Sequence, residues 1–130
     1  MQSLTLRSLF SDLETELYHL EDCPVECEGM TQLISLFLEA KGIAHRKMIG
    51  CAQPIDDNIA VFPHCWIELD DGRTIDFRLR MWMGDKPEVP HGVFFPERSG
   101  IEYIGGVYDQ PTISLELAKM LSDDKILDLL

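Results

Sequence analysis

Residues 63–77, PHCWIELDDGRTIDF, decide how this chain folds. Apolar and polar residues alternate on both sides of Asp70-Asp71-Gly72, the pattern of two strands joined by a tight turn. LDDGR fits a three-residue hairpin loop, with a type I turn at Asp70-Asp71 and Gly72 in the left-handed conformation. Leu69 and Arg73 then close the loop, Trp66 falls opposite Asp76, and His64 falls opposite Arg78. Strand alternation puts Cys65, Ile67, Leu69, Ile75, Phe77 and Leu79 on the core side. His64, Trp66, Asp76 and Arg78 are left together on the outward face. His64 and Asp76 become diagonal neighbours about 5–8 Å apart at Cβ, within side-chain reach. An Asp so placed fixes the tautomer of an imidazole and stabilises its charged form. On a solvated hairpin, the same two residues would only face water.

Upstream, CEGMTQLISLFLEAKG (27–42) is apolar on nearly every side, which predicts a buried helix ending at Gly42. Residues 4–20 space Leu4, Leu6, Leu9, Phe10, Leu13, Leu17 and Leu20 as an amphipathic helix capped by Ser3. Pro24 separates the two helices. A strand is expected over 43–51, a turn at QPIDDN (53–58), and the hairpin arms at 59–69 and 73–79. Residues 81–100, rich in Pro and Gly, read as a long loop. Trp82, His91, Phe94 and Phe95 in that loop could wall a cleft, or pin the loop to the core. A short strand in IEYIGGVYD and a C-terminal helix over 111–130, broken near Ser122, complete the chain. The order predicts one α+β domain spanning 1–130: N-terminal helices on a small antiparallel sheet, with a C-terminal helix.

Of 130 residues, 11 are Lys or Arg and 23 are Asp or Glu, giving a net charge of −12. That field repels nucleic acid and anionic membranes, so neither is expected as a partner. The start carries acidic residues by position 12 and lacks the charged and apolar regions of a leader. No apolar run reaches bilayer-spanning length. A cytoplasmic location is expected, with Cys23, Cys27, Cys51 and Cys65 reduced.

A His–Asp pair becomes chemistry when a nucleophile stands beside it. Cys27 is the candidate, because it begins the buried helix, where free N–H groups and the dipole favour a thiolate. The same N–H groups suit an oxyanion, and Gly29 leaves room for close approach. A buried cysteine can equally be a small apolar residue. Cys23 is a rival, set back by Pro24. Cys65 points to the core side, away from His64. His91 is a second candidate base, without an acid at a fixed strand offset.

At this point the chain resembles a family. CEGMTQLISLFLEAKGIAHRKMIG followed by HCWIELDDGRTID is similar to the transglutaminase-like branch of the papain-like thiol enzymes. The resemblance spans residues 27–77. It aligns Cys27 with the nucleophile at the start of the core helix, and Gly42-Ile43 with the end of that helix. Arg46 and Gly50 match the following strand, His64-x-Trp66 the His-x-Trp strand, and Asp76 the triad acid. Two positions depart from the pattern: the His-to-Asp interval is short, and Thr31 stands where the family often has Ala. The resemblance implies a papain-like core and a Cys27–His64–Asp76 catalytic triad that needs no cofactor. It also implies acyl-enzyme chemistry on an amide or thioester, by a peptidase, amidase or acyltransferase. The substrate would be a peptide, a protein or a small acyl-amide. Trp66, Arg78 and Arg80 are candidate substrate-binding residues, the arginines for a carboxylate or phosphate. Arg78 and Arg80 could instead bridge to Glu68 and other carboxylates. Gln53 is the candidate side-chain oxyanion donor. Two alternatives stand beside this reading. One is an inactive binding protein on the same fold. The other is a zinc site drawn from the four cysteines with His45, His64 and His91, although Cys-x3-Cys is not a common zinc spacing.

Overall fold

The computed structural model describes residues 13–130. Residues 13–17 are helical and Tyr18–Leu20 form a 3-10 turn. The end of the expected first helix is therefore present, while Ser3 and Leu4 through Phe10 lie outside the described residues. The central helix, α1 (Cys27–Ala40), starts where the sequence places it. The strands are β1 (His45–Pro54), β2 (Val61–Leu69), β3 (Thr74–Asp76), β4 (Gly92–Phe94) and β5 (Ile101–Val107), followed by a helix α2 (Leu115–Ser122). All neighbouring strands pair antiparallel, in the order β4-β3-β2-β1-β5. The architecture is α+β. No helix among the described residues is long and apolar enough to cross a membrane.

The hairpin takes the expected register. Ile67 pairs with Ile75 and Glu68 with Thr74. The Leu69 N–H donates to the Arg73 carbonyl at 2.8 Å, and Gly72 has φ +92°. The second arm is shorter than the pattern suggests. Its ladder stops at Asp76, whose carboxylate takes the N–H groups of Arg78 and Leu79 at 2.9 and 3.1 Å and turns the chain into a helical turn at Arg80–Met83.

Helix α1 packs on the odd-numbered face of the hairpin. Leu33, Ile34, Phe37 and Leu38 share one core with Ile67, Ile75 and Phe77. Leu17, Leu20, Ala118 and Ile126, from the segments before α1 and at the C-terminal end, join the same core. Each large side chain so buried contributes about 1.5–3 kcal/mol. The even-numbered face is covered too, which corrects the expectation of a solvated outward face. A second cluster of Ala52, Leu79, Val89 and Ile101, joined by Tyr103, belongs to the strap that follows the hairpin and to the β1–β5 pair.

Two further corrections concern pairing that alternation could not reveal. Residues 81–100 are not a plain loop, because Val93 pairs with Ile75 and makes β4 the sheet edge. Three residues opened by a glycine at φ +100° carry no readable period. Strand β1 runs on to Pro54, past the expected turn at Gln53, because Gln53 and Pro54 pair with Glu102 and Ile101. Between β1 and β5 the backbones approach so closely that a Cβ on Gly50 would lie 2.1 Å from the Ile104 oxygen. Glycine is required there, and Gly50 lies directly across from His64.

Candidate active site

Three elements bring the candidate residues together. Cys27 is the first residue of α1, His64 lies in β2, and Asp76 ends β3. Glu26 precedes the helix in extended conformation and its side chain caps nothing, so the first N–H groups of α1 point outward without an intrahelical acceptor. Gly29 fits because Val25 crowds it: a Cβ there would meet the Val25 Cβ at 2.9 Å. The loop before the helix is thereby pressed against its first turn.

His64 is wholly buried and Asp76 nearly so. The imidazole Nε2 lies 2.7 Å from Asp76 Oδ2. Asp76 also accepts the Tyr103 hydroxyl on Oδ2 at 2.8 Å, in addition to the Arg78 and Leu79 N–H groups on Oδ1. Four donors converge on one buried carboxylate, so both of its oxygens are satisfied and its position is fixed. Trp66 stacks against the imidazole at 6.1 Å between centroids, with an interplanar angle of 22°. Tyr103 lies against Trp66 at 5.0 Å. With Nε2 committed to Asp76, the buried Nδ1 has no hydrogen-bond partner and is the nitrogen left for a thiol.

His64 and Cys65 are the two side chains that set the acidity of Cys27. A hydrogen bond from the Cys65 thiol lowers the Cys27 pKa most. Burial opposes it, and His64 and the Cys65 backbone lower the pKa further, to about 4. Burial alone would lower the His64 pKa, but hydrogen bonds and charge from Asp76 and Cys27 outweigh it and raise it to about 9. These directions describe a thiolate beside an imidazolium. The Cys65 thiol is pushed strongly upward by its hydrogen bond to Cys27 and by burial, so it stays protonated. Cys23, the rival, is buried against the Ser122 carbonyl at 3.9 Å. Its pKa is raised, chiefly by burial.

Cys27 opens into a cleft of 590 Å³. Ile49, Ile59, Val61, Phe62 and Trp82 supply its apolar walls, and Glu26 and Glu28 also line it. Trp82, from the strap, is 57% exposed. His91 lies elsewhere, edge-on to Phe77 and 3.2 Å from Glu21.

The candidate substrate-binding residues are placed differently from expectation. Trp66 is 1% exposed and forms the floor under His64 rather than a cleft wall. Arg78 is buried, and all three nitrogens of its guanidinium donate to backbone carbonyls. It donates to the carbonyls of Val25, Phe77, Glu21 and Cys23 at 2.7 to 2.9 Å, clamping the loop that leads into α1. Arg80 donates to the Val89 carbonyl at 2.9 Å and approaches Asp85. Neither arginine lines the cleft; Glu68 pairs with Arg46, while Arg80 meets a different carboxylate, Asp85. Gln53 donates to the Asp57 carbonyl in the β1–β2 turn, outside the cleft lining. Cys65 lies on the core side of β2, as expected, and there it lines the gap beside α1 together with Cys27.

Of the residues considered for zinc, Cys27, His64 and Cys65 lie together, while His45 and His91 have other partners. His45 bonds Ser35 and the Ile43 carbonyl, and no group of three or more His, Cys, Asp or Glu among the described residues could hold a metal ion. Tyr103 is the residue that sequence reasoning missed. Its strand was legible, but nothing local says that β5 crosses the sheet order to lie beside β1 and reach Asp76. Comparison of the chain with protein-family models, with curated proteins and with solved structures gives no match.

Proposed function

We propose that this chain is a thiol enzyme with a papain-like, transglutaminase-like core that forms an acyl-enzyme at Cys27. The observation that carries the reading is the buried His64–Asp76 hydrogen bond of 2.7 Å beside a cysteine at an uncapped helix start. In the resting state the Cys27 proton resides on His64, and Asp76 holds the imidazolium. The thiolate attacks the carbonyl of an amide or thioester, and the charge that develops on oxygen meets the first N–H groups of α1. His64 returns its proton to the leaving group, then activates the water or acceptor amine that releases the acyl group. Asp76 orients the imidazole throughout, and the Tyr103 hydroxyl with the Arg78 and Leu79 N–H groups fixes its position.

The cleft suggests the substrate class. Its lining combines apolar walls with two carboxylates and no Lys or Arg. A peptide or acyl-amide with an apolar group near the scissile bond and no negative charge nearby fits it best. This replaces the anionic substrate that Arg78 and Arg80 suggested in the sequence. We place the enzyme in the cytoplasm, where four free cysteines remain reduced.

An activated ester tests the reading without a known substrate. With p-nitrophenyl acetate, the protein should release a burst of one equivalent of nitrophenol and carry one acetyl group on Cys27 by peptide mapping. Cys27→Ala and His64→Ala should both lose the burst. Acetylation scattered over lysines, with no burst, would point instead to an inactive binding protein on this fold.

A further inference from the structure

We propose that Cys27 and Cys65 form an oxidisable thiol pair, in which a hydroperoxide converts Cys27 to a sulfenic acid and Cys65 captures it as a disulfide. The proposal rests on the thiolate reading of Cys27 and adds a modification site to it. Cys65 supplies neither the nucleophile nor the base of acyl transfer, yet it is a buried thiol in the same place. Both sulfurs line the open cleft, and both line the narrow gap between α1 and the hairpin together with Thr31 and Ile75. Cys27 is partly exposed in the cleft while Cys65 is 5% exposed behind it. A small oxidant therefore meets Cys27 first, and the sulfur that meets the product is Cys65.

The steps balance without another reagent. The Cys27 thiolate attacks one oxygen of hydrogen peroxide, forming an S–O bond as the O–O bond breaks. The departing hydroxide takes the proton of the His64 imidazolium and leaves as water. Cys65 sulfur then attacks Cys27 sulfur, the S–S bond forms, and the S–O bond breaks. The second hydroxide takes the Cys65 proton and leaves as a second water. Cys27 and Cys65 together lose two electrons, and the peroxide gains them. Before oxidation, the neighbouring thiolate keeps Cys65 protonated. Oxidation of Cys27 removes that charge, so Cys65 becomes a better nucleophile when its partner is ready. A dithiol reverses the bridge, so Cys27 would be spared the irreversible sulfinic step.

The test is peptide mapping of wild type, Cys65→Ser and Cys65→Ala after graded hydrogen peroxide, before and after dithiothreitol. The wild type should show a Cys27–Cys65 cross-linked peptide lacking two hydrogens, and dithiothreitol should restore full iodoacetamide labelling of Cys27. In both Cys65 variants Cys27 should instead accumulate sulfinic acid, and labelling should not return. The pair is refuted on its own if Cys27 alkylates fast below neutral pH yet passes to sulfinic acid equally in wild type and variants. It is also refuted if the bridge joins Cys23 or Cys51. If Cys27 is both slow to alkylate and inert to peroxide, the thiolate reading falls, and the pair with it.

Discussion

Replacing Asp76 by Asn separates the chemistry of the site from its shape. The Asn oxygen can keep the Arg78 and Leu79 N–H groups that Oδ1 now accepts at 2.9 and 3.1 Å. Its NH2 then occupies the position of Oδ2, which now accepts from His64 Nε2 at 2.7 Å and from the Tyr103 hydroxyl at 2.8 Å. A donor replaces an acceptor. The Tyr103 hydroxyl can rotate, but His64 must present a lone pair at Nε2 and carry its proton on Nδ1. That is the nitrogen left to receive the Cys27 proton, so the base is blocked. Two hydrogen bonds to a charged acceptor, each contributing about 1.5–3 kcal/mol, become neutral bonds contributing about 1 kcal/mol. The expected loss of stability is roughly 1–4 kcal/mol, within the roughly 5–15 kcal/mol typical of a domain, so the variant should fold. The chemical loss is larger. Cys27 would titrate upward from about 4 toward an ordinary thiol near 8.5, which at pH 6 lowers the thiolate fraction by up to about 300-fold. The Cys65 hydrogen bond and the helix start remain, so we expect a decrease of about 10- to 300-fold in iodoacetamide alkylation at pH 6. Turnover of any acyl substrate should fall by about 10⁴-fold, as in triads whose acid is converted to an amide. A folded Asp76→Asn protein that alkylates Cys27 at the wild-type rate near pH 6 would refute the assignment of Asp76 and His64 as a working pair.

Other variants probe the support of the site. Tyr103→Phe removes one buried donor to a carboxylate and should cost about 1.5–3 kcal/mol in urea unfolding, while leaving Cys27 reactive. An unchanged midpoint would show that the hydroxyl holds nothing. Arg78→Gln strands several carbonyls of the loop before α1 and should cost about 3 kcal/mol or more. A stability within error of wild type would return Arg78 to the role of a free substrate ligand. Gly50→Ala places a Cβ 2.1 Å from a backbone oxygen. It should split β1 from β5 and cost several kcal/mol, on the order of 3 or more, seen as early amide exchange in β5.

Much of the site was legible because it rests on local rules. LDDGR selects a turn, the turn sets a register, and the register puts His64 and Asp76 on one side by parity alone. The start of α1 was legible for the same reason, since Pro24 and the dense apolar run from Met30 leave few other starts. What escaped was set by long-range packing. The even face of the hairpin looked solvated because His64, Asp76 and Arg78 are polar, yet Tyr103 from a distant strand lies against His64 and Trp66. Arg78 looked like an anion ligand because its carbonyl partners are backbone groups some fifty residues away, which no side-chain pattern records. Strand β4 escaped because three residues are too few for periodicity.

Central to all of this is a thiolate–imidazolium pair at Cys27 and His64, and its pH dependence has a definite sign. Cys27 loses its proton as pH rises through about 4, and His64 keeps its own until about 9. The measurement to make is the rate of iodoacetamide alkylation at Cys27 from acid to alkaline pH, by peptide mapping, in wild type and in His64→Ala. We expect Cys27 alone among the four cysteines to react fast from about pH 4–5 upward, on a plateau through neutrality, and His64→Ala to move that rise by more than one pH unit toward the ordinary thiol range near 8.5. A wild-type Cys27 that begins to react only near pH 8.5, or a profile that His64→Ala leaves in place, would contradict the pair and the chemistry built on it.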